Sequence, residues 1–233
     1  MGKPSNRQEA IERLRADLSQ VLGARLHSLV VYEPSGGDGQ LVHALAVVEG
    51  FTAGDLLRLA PLAAGWTRAG LAVPLVFARA ELARVLDTFP LEFSRILARH
   101  QVVAGESLLA GMSVRPEDLR RACEAQARSH LVHLREGYLQ AGGAPAEVAA
   151  LLHASLSPLR ALLACTARLH GVDAETPEAL VAFLAERLPA SADGLRPLAA
   201  LPPGTRLSPS DAQRLFPAYV DAVERLARAL DTL

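Results

Sequence analysis

Ile11, Leu14, Leu18, Val21 and Leu22 recur at helical spacing near the start of the chain, with charged residues between them. This pattern predicts an amphipathic helix capped by Ser5-Asn6 and closed by Gly23. The run LHSLVVY at 26–32 is short and rich in β-formers, the segment EPSGGDGQ at 33–40 follows it, and LVHALAVVE at 41–49 is again apolar. Two strands joined through a Gly-rich loop are predicted. Thr52 to Ala69 returns to helical spacing through Leu56, Leu57, Leu59, Leu62 and Trp66, and Pro61 is expected to kink or divide that helix. VPLVF at 73–77 reads as a third strand, where Pro74 lacks a backbone donor and points to an edge or strand-start position. A helix at 80–87, a short one from Pro90 and a fourth strand at 101–104 complete an α-β-β-α-β-α-β order.

Beyond Gly105 the strand pattern stops. Pro116 to Gln140 predicts one long helix ended by Gly142-Gly143, Pro145 to His170 a second with a kink at Pro158, and Thr176-Pro177 opens a third that runs to Leu188. Ser191 to Pro209 is rich in Pro, Gly and Ala and reads as a loop before a last helix that starts at Ser208 and runs to about Leu230. The predicted fold class is α+β: a small mixed sheet with flanking helices over residues 1–110, then an all-helical bundle over 111–233. The change of pattern near 105–115 marks the boundary.

Composition narrows the functions. The 233 residues are half hydrophobic but only 4% aromatic, so Leu, Ala and Val must build the core. The 24 basic and 25 acidic residues leave a formal charge of −1, which supplies no overall field for a polyanion. Cys123 and Cys165 lie in separate predicted helices without CxxC spacing, so buried thiols in a reducing cytoplasm are expected rather than a disulfide framework. The N-terminus has no signal-peptide apolar run, and no stretch reads as long and charge-free enough to span a bilayer. A cytoplasmic protein with no membrane partner is the expectation.

The order strand, Gly-rich loop, strand, helix, strand resembles the nucleotidyltransferase superfamily. VPLVFARAELARVLDTFPLEFSRILARHQVVAGE at 73–106 is similar to bacterial proteins of this class through its FPLEF segment and a strand ending in Gly-Glu. LRRACEAQARSHLVHLREGYL at 119–139 is similar to the first helix of their C-terminal helical domain, with Glu124, Arg128, Arg135 and Tyr138 at similar places. The resemblance implies a strand ending in Gly-Ser, two carboxylates one residue apart on the next strand, and a third on a later strand. Those acids hold divalent metal, which orients a nucleoside triphosphate for in-line attack. In this chain the Gly-Ser positions fall on Glu33 and Pro34, the paired carboxylates on Val42 and Ala44, and the third on Pro74. Neither Val nor Ala coordinates Mg²⁺, which needs oxygen ligands. Residues 41–48 contain no carboxylate at all; the nearest acids are Asp38, Glu49 and Asp55. No metal site and no cofactor is therefore expected, with Mg²⁺ entering only if Glu33, Asp38 and Glu49 form a relocated site.

Other patterns carry less. The SGGDG segment at 35–39 offers backbone amides to an anion, or serves as a plain turn. Arg95 and His100 have the Arg-x4-His spacing of HEPN-type ribonucleases, but ahead of a strand instead of on a long helix. His130 and His133 lie three apart on a predicted helix, where zinc would need His153 or a carboxylate as well. Arg115, Arg120, Arg121, Arg128 and Arg135 form a basic helix that faces RNA, another protein, acids of its own chain or solvent. Ser28, Ser94 and Ser129 lack GxSxG context, so hydrolase chemistry has no support. The leading expectation is a catalytically degenerate nucleotidyltransferase-like protein that works as an interaction or regulatory module, with a protein partner or a second copy of itself. The alternatives are an active Mg-dependent transferase with a relocated site, and an RNA-binding or HEPN-like helical module.

Overall fold

The computed structural model describes residues 4–32, 41–202 and 204–233, so Glu33, Pro34, Asp38 and the SGGDG segment lie outside the described residues. The chain divides into two compact units, Met1–Val114 and Arg115–Leu233. In the first, helix α1 (Pro4–Leu22) leads through a 3-10 turn into β1 (Leu26–Tyr32). Strand β2 (His43–Val48), helix α2 (Ala53–Arg68), strand β3 (Leu75–Ala78), helices α3 (Leu82–Thr88) and α4 (Pro90–Ala98) and strand β4 (His100–Gly105) follow. The sheet order is β3-β2-β1-β4, with β1 antiparallel to both its neighbours and β3 parallel to β2. The expected small mixed sheet is present, and Pro74 immediately precedes the edge strand β3.

Helices cover both faces of the β1–β2 pair. Leu29, Val31, Val42, Ala44, Ala46 and Val48 pack with Leu14, Leu18, Leu59 and Trp66 of α1 and α2. The alternate residues Val30, Leu45 and Val47 pack with Leu82, Val85, Phe93 and Ile96 of α3 and α4. A strand buried on both faces needs apolar residues throughout, which explains the continuous runs at 26–32 and 41–48. At the far end of β4, Gly105 adopts φ +76°, and a Cβ there would sit 2.0 Å from the His27 carbonyl oxygen; only glycine fits.

The second unit holds α5 (Pro116–Gln140), α6 (Pro145–Leu169), α7 (Pro177–Arg187), α8 (Pro189–Ala199) and α9 (Pro209–Asp231). Helices α5, α6 and α9 pack on one another, and α8 packs on α9. Ser208 caps α9, its Oγ accepting from the Asp211 N–H at 3.1 Å.

Several expectations need correction. Residues 191–209 are not all loop, because α8 occupies Pro189–Ala199. Its Pro189 sits at the helix start, and Ala192, Leu195, Leu198 and Ala199 are buried at helical spacing. Gly194 is there for packing, not for a turn: a Cβ would lie 2.2 Å from the Ala218 carbonyl oxygen of α9. Helix α1 begins at Pro4, so Ser5 and Asn6 lie within its first turn. Pro61 does not divide α2, which runs unbroken from Ala53 to Arg68. Finally, α6 is long and apolar enough by length and composition to cross a membrane. Its Leu152, Leu156, Leu159, Leu162 and Leu163 are buried in the helical unit.

Two polar ties hold the α1/α2 layer. The Trp66 indole N–H donates to Asp17 at 2.8 Å. Asp55, 1% exposed, forms a capping box with Thr52 at the start of α2. Its carboxylate also accepts from Arg25 at 2.6 and 3.0 Å and from Arg58 at 2.5 Å. The Arg25 guanidinium first, and the Thr52 hydroxyl and N–H after it, hold the Asp55 carboxyl well below the usual carboxylate range. Because folding lowers this pKa, the unfolded chain binds the proton more readily. The contribution is complete above the unfolded value of about 3.9 and falls away as pH drops through the folded value. Asp55→Asn is expected to lower the melting temperature of the first unit by several degrees at pH 7, read by the fluorescence of the chain's single Trp. The difference from wild type should shrink below about pH 4.

Candidate functional site

The resemblance directs attention to the Tyr32 end of the sheet, where β1 runs into residues 33–40. Register places Tyr32 opposite His43 on β2 and opposite His100 on β4. The Tyr32 and His43 rings lie 5.6 Å apart. Beside them, Arg7, Val31, Tyr32, Arg99, His100 and Gln101 line a cavity of about 270 Å³. On α4, Glu92 and Arg95 form an ion pair at 3.0 Å. Burial raises the Tyr32 phenol, opposed by Arg95. Burial first, and Arg95 second, lower His43. His43 therefore stays neutral at pH 7, and Tyr32 keeps its proton.

The positions expected to carry metal ligands are part of the core. Val42 is 8% exposed and Ala44 1%, and both pack in the α1/α2 layer. Pro74 is buried ahead of β3. A carboxylate at position 44 would sit in an apolar layer among Leu and Trp side chains, where ionisation is strongly opposed. Shifting the register by one residue brings His43 and Leu45 into consideration, and neither is an acid.

Of the relocated acids, Glu33 and Asp38 lie outside the described residues. Leu26 pairs with Val48 and Tyr32 with His43, so Glu49 follows β2 at the end of the hairpin away from Tyr32. Glu49 is exposed and bonds His27 Nε2 at 2.6 Å. Among the described residues, no group of three or more His, Cys, Asp or Glu side chains is placed to hold a metal ion. The described lining of the cavity is guanidinium, imidazole, phenol and amide, a donor set that does not fit Mg²⁺.

The remaining candidates separate in the same way. Arg95 is paired with Glu92, while His100 Nδ1 bonds the Ile96 carbonyl oxygen at 3.0 Å, so each side chain has its own local partner. The basic face of α5 meets acids of its own chain. Arg115 and Arg121 pair with Asp118, Arg120 and Arg128 with Glu124, and Arg135 with Glu224 of α9. Three carboxylates are shared among these five arginines, so the ion pairs offset the basic face in part. His153 is exposed, and exposed His133 lies 3.4 Å from Glu136.

His130 points instead into the helical core, where its Nε2 lies 2.5 Å from the Tyr219 hydroxyl of α9. Ser129, His130, His133, Leu134, Ser155 and Pro158 are among the residues around a cavity of about 230 Å³ along α5 and α6. Sequence reading missed the pairing because the two partners are 89 residues apart, and only their common place on buried helix faces hinted at it.

Comparison with known proteins agrees with the fold. The small mixed sheet with its helices, followed by a helical region, is a nucleotidyltransferase-like arrangement. A solved structure of spectinomycin adenyltransferase from Enterococcus faecialis, determined with ATP and spectinomycin, superposes with a TM-score of 0.58. The match covers 93% of this chain and 99% of that one at 9% sequence identity. No family model matches the chain, and no curated protein sequence matches it.

Burial pushes the His130 imidazole down to about 4, with His133 adding to the effect. Folding lowers this pKa, so its contribution is complete above the unfolded value of about 6.5 and is lost as pH falls through about 4. Over that window the helical unit is expected to lose about 3 kcal/mol. His130→Gln, followed by urea unfolding with far-UV circular dichroism, should flatten this acid limb.

Proposed function

We propose that this chain is a nucleotidyltransferase-fold protein that has given up metal-dependent nucleotidyl transfer and acts by binding. The observation that carries the reading is the burial of Val42 and Ala44 in the α1/α2 core, together with a described cavity lining that lacks carboxylates. A transferase of this fold needs acids to neutralise the triphosphate and align its phosphorus, and here the equivalent strand is committed to packing. The fold match supports the framework and, at 9% identity, the framework alone. ATP and spectinomycin belong to that neighbour's structure.

Binding here means a protein partner or a second copy of the chain. In support, α5 exposes Val132 at 57% and Leu139 at 80%, while its arginines are occupied by its own acids. The transferase alternative loses support from the pairing of exposed Glu49 with His27, and the RNA alternative from the ion pairs that the α5 arginines make with acids of their own chain.

Thermal-shift and transfer assays with Mg²⁺ and nucleoside triphosphates test the reading, with an active transferase run in parallel. A ligand at a hundredfold excess over its Kd stabilises the folded state by about 2.7 kcal/mol, so metal-dependent binding of that quality is readily seen. The expected outcome is no Mg²⁺-dependent shift and no label transferred to an acceptor. A clear Mg²⁺-dependent shift accompanied by transfer, abolished by Glu33→Ala or Asp38→Ala, overturns the proposal.

A further inference from the structure

The two cysteines, 42 residues apart in sequence, meet inside the helical unit. Cys123 of α5 and Cys165 of α6 are 0% and 3% exposed, and their Sγ atoms lie 2.8 Å apart. That is closer than unbonded sulfur atoms ordinarily approach and not far beyond the bonded separation of about 2.05 Å. No other cysteine exists in the chain to compete for either thiol. Arg168, one turn beyond Cys165 on α6, is within electrostatic reach of Cys123.

We propose that Cys123 and Cys165 form a reversible dithiol–disulfide couple that cross-links α5 to α6 under oxidising conditions. With hydrogen peroxide as oxidant, one thiol is converted to a sulfenic acid and one water leaves. The second sulfur then attacks the sulfenic sulfur, forming the S–S bond and releasing a second water. Two thiols thus lose two electrons and two hydrogens in all, and one peroxide becomes two waters. A dithiol reductant reverses the bond by exchange. The proximity of the resolving thiol makes closure faster than further oxidation to sulfinic acid.

The chemical environment sets the rate. The hydrogen bond to Cys165, followed by burial, pushes the Cys123 thiol up, and the Arg168 guanidinium only partly offsets this. Since the thiolate is the nucleophile, oxidation waits on local opening of the α5–α6 seam and is slow in the folded protein. Once formed, the bond closes a long loop and restricts the unfolded chain, which raises the melting temperature of the helical unit by roughly 10 °C. This inference stands apart from the functional reading above.

The test uses the whole chain, reduced and then exposed to hydrogen peroxide. Thiols are counted in denaturant, the intact mass is measured, and peptides are mapped without reduction. The expected result is a monomer lighter by two hydrogens, with no titratable thiol, a linked Cys123–Cys165 peptide pair and a raised melting temperature, all restored by dithiothreitol. Two thiols still titratable after prolonged exposure, loss of thiols only in covalent dimers, or oxygen added to both cysteines overturns the proposal. Cys123→Ser should leave Cys165 open to overoxidation. Should that variant not fold, the wild-type thiol count and mass decide the matter alone.

Discussion

Burial of the β1–β2 hairpin on both faces is the constraint from which most of the first unit follows. Leu29, Val31, Ala44 and Ala46 pack under α1 and α2, and Val30, Leu45 and Val47 under α3 and α4. Side chains alternate along a strand, so every position of the pair from 44 to 47 belongs to one apolar layer or the other. Such a strand has no room for an ionised group. The stability of this unit and the lack of carboxylates on β2 are thus linked: the hydrophobic effect that holds the sheet between its helices also fixes residues 44–47 as apolar.

Two of the polar groups that enter the interior have well-defined partners. Asp55 is surrounded by Arg25, Arg58 and Thr52, and ties the start of α2 to the turn before β1. His130 meets Tyr219 between α5 and α9, and the rings approach edge to face at 6.0 Å. These contacts fix particular partners where apolar packing would tolerate sliding. Asp118, 5% exposed, and Glu124 each draw in two arginines of the basic stripe along α5.

Local signals run out where packing takes over. The limits of α5 and α6 were legible because long apolar periodicity, Pro starts and Gly stops all agree there. Helix α8 was hidden because Pro197 and Gly194 imitate a loop, whereas Gly194 allows close approach to α9. The intact course of α2 through Pro61 and of α6 through Pro158 shows packing overriding a residue that weakens a helix on its own. Among the candidate residues, the loss of acids at Val42, Ala44 and Pro74 was readable from the residue types. That Val42 and Ala44 face the α1/α2 core was not, because a single apolar run does not say which face is which.

The sequence by itself determined the mixed first half, the helical second half and the lack of carboxylates from 41 to 48, since these depend on residue type and local period. Tertiary structure alone decided that Glu49 meets His27 across the β1–β2 pair, that the α5 arginines pair with acids of the same chain, and that Cys123 rests against Cys165. Each of those outcomes is a distance between residues far apart along the chain. Such distances are set by how helices and strands pack, and no local pattern encodes them.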